Sequence, residues 1–178
     1  MNRSFSVALC LALAFVLEGC AQGIHSGTGG WPPPSSPTPA GISSSASVVK
    51  VRAADVSIPA GGNADATVTL SISPGYHVNA NPATFSYLIP TAVDPGKAEG
   101  IIAGKPIYPI AQKQKFQFAE EPLAVYEGEA QIRLPLHVEA NAGKGARSLP
   151  IEVRVQACDS EKCYAPDTLK TSMAVDVK

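Results

Sequence analysis

From Val48 onward, apolar residues recur at every second position. Val49, Val51 and Ala53 alternate with Lys50 and Arg52, and Ala66, Val68, Leu70 and Ile72 alternate with Thr67, Thr69 and Ser71. A period of two marks a strand with one face on a core. Ala130, Ile132, Leu134, Leu136 and Val138 repeat the pattern, with Pro135 among the polar positions suggesting a sheet edge. So do Ile151, Val153, Val155 and Ala157, and then Leu169, Thr171, Met173, Val175 and Val177. Shorter strands are expected at Tyr76 to Asn79, Phe85 to Ile89 and Lys115 to Phe118.

Turn-forming clusters separate these runs: Ala60-Gly61-Gly62-Asn63, Ser73-Pro74-Gly75, Asp94-Pro95-Gly96 and Asn141-Ala142-Gly143-Lys144-Gly145. Nowhere does a helical period persist. About seven or eight short strands over residues 48–178, punctuated in this way, predict an all-β domain built as an immunoglobulin-like antiparallel sandwich. With 178 residues in total, a second full domain is not expected.

The N-terminal part follows another rule. Arg3, the apolar run Val7 to Leu17 and the small residues after it have the plan of a secretory signal, with a run too short to span a bilayer. It closes on Leu17-Glu18-Gly19-Cys20, which resembles the lipobox of bacterial lipoproteins, although Glu18 is an unusual occupant of its slot. The resemblance implies a signal peptide over 1–19 and a lipidated Cys20 that holds the mature chain on a membrane, facing the periplasm from the inner or the outer membrane. Residues 20–47 are rich in Gly, Ser, Thr and Pro, including Trp31-Pro32-Pro33-Pro34, and read as a disordered tether.

Charge and cysteine use narrow the chemistry. A formal net charge of -1 offers no basic surface for phosphate backbones, so nucleic acid is not an expected partner. Of 4 cysteines, Cys10 lies in the signal and Cys20 in the lipobox, which leaves Cys158 and Cys163 to pair in a compartment that permits disulfides. Cys158 ends one predicted strand and Cys163 begins the return, so a bond is sterically easy. A bond around so short a loop stabilises by roughly 2 kcal/mol, against nearer 5 for a loop of about 100 residues. That makes a poor staple and a better site for exchange, though a structural clasp stays open as the alternative. Asp159 and Glu161 disfavour a thiolate there, while Lys162 favours it. A soft metal site from His77, His137, Met173 and the cysteines lacks any tightly spaced ligand pair, so neither metal nor cofactor is expected. No nucleophile elbow, phosphate loop, paired-carboxylate pattern or HExxH motif occurs.

The segment from Val155 to Thr168, Val-Gln-Ala-Cys-Asp-Ser-Glu-Lys-Cys-Tyr-Ala-Pro-Asp-Thr, resembles the redox segment of the periplasmic N-terminal domain of the thiol:disulfide interchange protein DsbD. Gly75-Tyr76-His77-Val78-Asn79-Ala80-Asn81-Pro82 and Leu123-Ala124-Val125-Tyr126-Glu127-Gly128 are similar to further motifs of that family, in the same order. The resemblance implies a dithiol/disulfide pair at Cys158 and Cys163, with Cys163 attacking and Cys158 resolving. It implies thioredoxin-like periplasmic partners and a separate membrane-embedded thiol reductase as electron source. It also implies Tyr76, His77 and Asn79 beside the sulfurs, Tyr126 and Tyr164 packed over them, and a shielding cap at Leu123 to Tyr126. In that cap Leu123, Ala124 and Val125 replace two acids and a Phe, and the spacer between the cysteines is one residue shorter than in the best-known members.

Overall fold

The computed structural model describes residues 44–178, so the signal peptide, Cys20 and the tether up to residue 43 lie outside the described residues. A 3-10 turn, Ser45–Ser47, leads into twelve strands. These are β1 (Val49–Ala53), β2 (Val56–Ile58), β3 (Asn63–Ile72), β4 (His77–Asn79), β5 (Ala92–Pro95) and β6 (Ile101–Ala103), followed by β7 (Gln112–Gln114), β8 (Leu123–Tyr126), β9 (Glu129–Val138), β10 (Gly145–Val155), β11 (Ala157–Cys158) and β12 (Asp167–Val177).

Two four-stranded sheets, ordered β1-β3-β9-β6 and β2-β12-β10-β5, face one another. Every pairing in them is antiparallel except β2 with β12. Their inward rows are the alternating residues of the sequence: Val68 and Leu70 on β3, Ile132 and Leu134 on β9, Ile151 and Val153 on β10, Met173 and Val175 on β12, all buried in one core. Burying such side chains stabilises by roughly 1.5–3 kcal/mol each, which is why the period of two decides the architecture. The chain is an immunoglobulin-like β-sandwich, and its two main sheets hold eight strands.

A third sheet, β11-β4-β8-β7, adds four strands of two to four residues. Runs that short cannot display a period, which is why most of them, with β2, β5 and β6, are absent from the sequence reading. The third sheet divides a second, smaller core from the main one. Leu88, Phe116, Leu123 and Val125 form the smaller cluster, while Val78 and Tyr126 point the other way into the main core.

Three local expectations change. Phe85 to Ile89 and Lys115 to Phe118 are turns, closed by Leu88 N–H on Phe85 O and Ala119 N–H on Phe116 O, and their apolar side chains cluster without pleating. Pro135 lies on β9, which is interior to its sheet. Its carbonyl accepts from Gly104 N–H at 2.8 Å just where β6 ends, so its missing N–H faces the gap beyond that strand. Ser44 to Ser47 belong to the folded body and not to the tether. Ser45 is fully buried, its Oγ accepting from Ala157 N–H at 2.9 Å and donating to Ala165 O at 2.6 Å.

β10 and β12 pair over their whole length, from Gly145↔Val177 to Val155↔Asp167. At the end of this ribbon, residues 156–166 make an excursion before the chain returns, and both cysteines lie on that excursion.

Candidate functional site: a disulfide hairpin between two clefts

Asp159 shapes the turn that carries the cysteines. Its Oδ1 accepts from the N–H groups of Glu161 and Lys162, both at 2.8 Å, as Asp side chains do in tight turns. Asp159 N–H donates to Lys162 O at 2.9 Å and Tyr164 N–H donates to Ala157 O at 2.8 Å, and these two bonds bracket Cys158 and Cys163 as an opposed pair. In such a close antiparallel pair the side chains lean together. The Cα atoms are 3.9 Å apart and the sulfurs are bonded.

The two cysteines differ in access. Cys158 is 0% exposed, pinned in β11 against β4 by the register Ala157↔Val78 and Cys158↔His77. Cys163 is partly exposed and opens on a groove of about 340 Å³ with Leu88, Phe118, Ala119, Gln156 and Lys162 around it. Tyr87 at 73% and Phe118 at 40% exposure stand on the rim, large apolar side chains left facing solvent beside the disulfide. A second cleft of about 600 Å³ also reaches the hairpin, at Ser160, and runs past Tyr76, His77, Gln114, Phe116 and Glu127.

Alternation across the third sheet sorts the expected neighbours. Directly paired residues share a face, so Cys158 and His77 point one way while Ala157, Val78 and Tyr126 point the other. His77 is 2% exposed and stacks on Phe116 with ring centroids 4.0 Å apart. Tyr126 is turned away from the sulfurs and into the main core, its hydroxyl accepting from Asn81 N–H and donating to Pro109 O, both at 3.3 Å. Burial raises its phenol above the ordinary range. Leu123 to Tyr126, the segment expected as a cap, forms strand β8, with Leu123 and Val125 in the smaller core and Leu123 also lining the groove at Cys163. Phe118 and Ala119, from the turn at Phe116 to Ala119, line the Cys163 groove together with Tyr87 and Leu88.

Asn79 is fully buried and acts on the neighbouring loop. Its Nδ2 donates to Ile89 O at 3.1 Å and Gln156 Oε1 at 3.2 Å, and its carbonyl accepts from Thr91 Oγ1 at 2.7 Å. Gln156 completes the tie by accepting from Ile89 N–H at 3.2 Å. Sequence reasoning passed over Gln156, because it sits at a polar position of an alternating strand where any hydrophilic residue would do. Ser45 was hidden in the same way by the composition around it. The weighed metal ligands are dispersed: Met173 lies in the main core and His137 Nδ1 is 3.0 Å from Asn63 Oδ1 on the other sheet.

Electrostatics at the hairpin centre on Asp159. The Tyr164 hydroxyl donates to its Oδ2 at 2.5 Å, which with the backbone donors holds the carboxyl below its ordinary range and pushes the phenol up to about 12. Tyr164 also lies 6.0 Å from the Tyr76 ring, and Lys162 Nζ is 5.5 Å from its centroid. Burial lowers His77 to about 4, partly opposed by the Asp159 charge, so its ring is neutral at neutral pH and its Nε2 is buried without a partner.

A sandwich whose ribbon ends in a short, one-sidedly accessible disulfide defines the class: an immunoglobulin-like redox domain. The chain belongs to the family described as thiol:disulfide interchange protein DsbD, N-terminal, whose model matches residues 45–174. Thiol–disulfide interchange is the chemistry of that family, and Cys158 and Cys163 form a disulfide in this chain. Similar solved structures include the reduced DsbD N-terminal domain of Neisseria meningitidis, at 19% identity and a TM-score of 0.43, covering 66% of this chain and 82% of that one. The N-terminal periplasmic domain of ScsB from Proteus mirabilis is 11% identical with a TM-score of 0.41, covering 72% of this chain and 45% of that one. A third is a complex between the DsbD and PilB N-terminal domains of Neisseria meningitidis, at 18% identity and a TM-score of 0.38, covering 61% of this chain and 73% of that one. No curated protein sequence matches the chain. No helix among the described residues is long and apolar enough to cross a membrane.

Proposed function

We propose that this domain passes reducing equivalents between thioredoxin-like proteins of the bacterial envelope, with Cys163 as the sulfur that partners reach and Cys158 as the resolving one. The observation that carries the reading is the unequal exposure of the pair. A visiting thiolate must approach one sulfur in line with the bond it breaks, and Cys163 borders an open groove while Cys158 is sealed. Tyr87 and Phe118 on the rim expose large apolar side chains of the kind on which a partner's active-site face can seat. Electrons would come from a separate membrane-embedded thiol reductase, and the lipobox-like Cys20 would keep the domain on the membrane beside it.

A clasp role is less well supported, because the turn is already closed by backbone and Asp159 hydrogen bonds that need no sulfur. The deciding experiment incubates the Cys158→Ser chain with a purified, oxidised thioredoxin-like protein. A mixed disulfide through Cys163, absent from the Cys163→Ser chain, is the expected product. Failure to form it, together with a reduction potential below about -300 mV for the unaltered pair, would assign the bond to structure.

A further inference from the structure

Opening the disulfide leaves a proton problem that the fold has to solve. When a partner's thiolate attacks Cys163 Sγ, a new S–S bond forms to Cys163, the Cys163–Cys158 bond breaks, and the electron pair departs on Cys158 Sγ. Cys158 is 0% exposed, and a bare thiolate in such a site is strongly disfavoured, so the sulfur has to gain one proton from a neighbour. In the reverse direction Cys158 gives that proton up, its thiolate attacks Cys163 Sγ, and the partner's thiolate leaves. Bulk water has no direct path to either event.

His77 is the residue opposite Cys158 in the β4–β11 register. Opposed side chains on one face of an antiparallel pair begin about 4.5–5.5 Å apart at Cβ, within reach of an imidazole. His77 Nε2 is buried and unpartnered, a costly state for a ring nitrogen in a finished fold. Asn79 Oδ1 and Gln114 Oε1 are two further buried atoms without a partner, and His77 and Gln114 both border the cleft that reaches Ser160 on the hairpin. That cleft reaches solvent past Tyr76, Glu127 and Ser160.

We propose that His77 delivers and removes the proton of the Cys158 sulfur, with the Tyr76–Gln114–Glu127 cleft as its path to solvent. The inference rests on the exchange reading above. A neutral imidazole carries one N–H and one lone pair, so it can give a proton to sulfur at one nitrogen and regain one at the other without net charge. The groups that face it suit this role. Phe116 stacks on the ring and keeps it dry, Asp159 on the hairpin supplies the charge that partly offsets desolvation, and Glu127 and Tyr76 offer titratable oxygens along the cleft. Partners would thus use the Cys163 groove and protons the separate Tyr76–Gln114–Glu127 cleft.

The test uses the full chain, reduced and then mixed with Ellman's reagent, which forms a mixed disulfide on Cys163 that Cys158 resolves by expelling thionitrobenzoate. For His77→Phe, which keeps a ring to stack on Phe116, the resolving rate at pH 7 should fall by about tenfold or more, in line with the contribution of a positioned proton acceptor. His77→Gln, able to hydrogen-bond but not to shuttle, should be slow as well. A smaller loss in His77→Phe overturns the proposal. Should either variant fail to fold, the ring nitrogen shifts of His77 in the unaltered chain decide: they change between disulfide and phosphine-reduced dithiol if His77 serves Cys158, and identical shifts overturn it. None of these readouts involves a protein partner, so a missing mixed disulfide with thioredoxin-like proteins would sink the exchange reading separately.

Discussion

Across the hairpin, the Tyr164 hydroxyl and the Asp159 carboxylate share a hydrogen bond of 2.5 Å, tying the residue after one cysteine to the residue after the other. Asp159 is the depressed partner, so its contribution to stability is present above the unfolded carboxylate pKa and is lost as pH falls through its lowered folded value. Tyr164→Phe should return the Asp159 carboxyl toward about 3.9 and move that acid loss to higher pH. A carbon-detected NMR titration of the carboxyl reads both, and an unchanged titration would show that the phenol contributes nothing.

Access to the two thiols should differ as the burial does. With one cysteine of the pair replaced, Cys163 in Cys158→Ser should react with a bulky maleimide about tenfold or more faster than Cys158 in Cys163→Ser, since a sealed thiol is shielded from the reagent. Equal rates under native conditions would contradict the asymmetry on which partner attack at Cys163 depends.

Ser45→Ala should cost about 1–3 kcal/mol in urea unfolding of the oxidised protein, because Ala157 N–H is then left buried without an acceptor beside Cys158. A loss within about 0.5 kcal/mol, the usual scale of surface changes, would return Ser45 to the tether.

Stability near pH 5 should depend on His77. Its folded value of about 4 lies below the unfolded 6.5, so between those values the unfolded chain binds the extra proton and stability falls as pH falls. The slope from this group is at most about 1.4 kcal/mol per pH unit. Urea melts at pH 7 and pH 4.5 should show a smaller difference in His77→Phe than in the unaltered chain. An equal difference would mean that His77 titrates normally in the fold.

The contrast between what could be read from the residues and what could not follows from the length over which each signal acts. Leu70, Ile132, Val153 and Val175 lie in strands of ten or eleven residues, long enough for a period to stand out, and they define both main sheets. The cysteine pair was legible because Cys158 and Cys163 flank a polar tetrapeptide at the end of such a strand. The smaller core was not. Phe116 and Phe118, two apart, imitate a strand while being stacked on one another at 5.4 Å in a turn. Leu123 to Tyr126 carried the family resemblance but no cue that its side chains split between two cores. His77 was expected near the sulfurs, yet its burial depends on Phe116 closing over it, a contact between residues thirty-nine positions apart.

Five hydrogen bonds close the turn without involving sulfur: Asp159 N–H to Lys162 O, Tyr164 N–H to Ala157 O, Glu161 N–H and Lys162 N–H to Asp159 Oδ1, and Tyr164 hydroxyl to Asp159 Oδ2. Cutting the S–S bond therefore frees little chain, and the second thiol stays beside the first at a very high effective concentration. On the proposed exchange reading, a covalent complex with a visitor is therefore fleeting. A domain that works in this way lets go of its partner as readily as it takes hold.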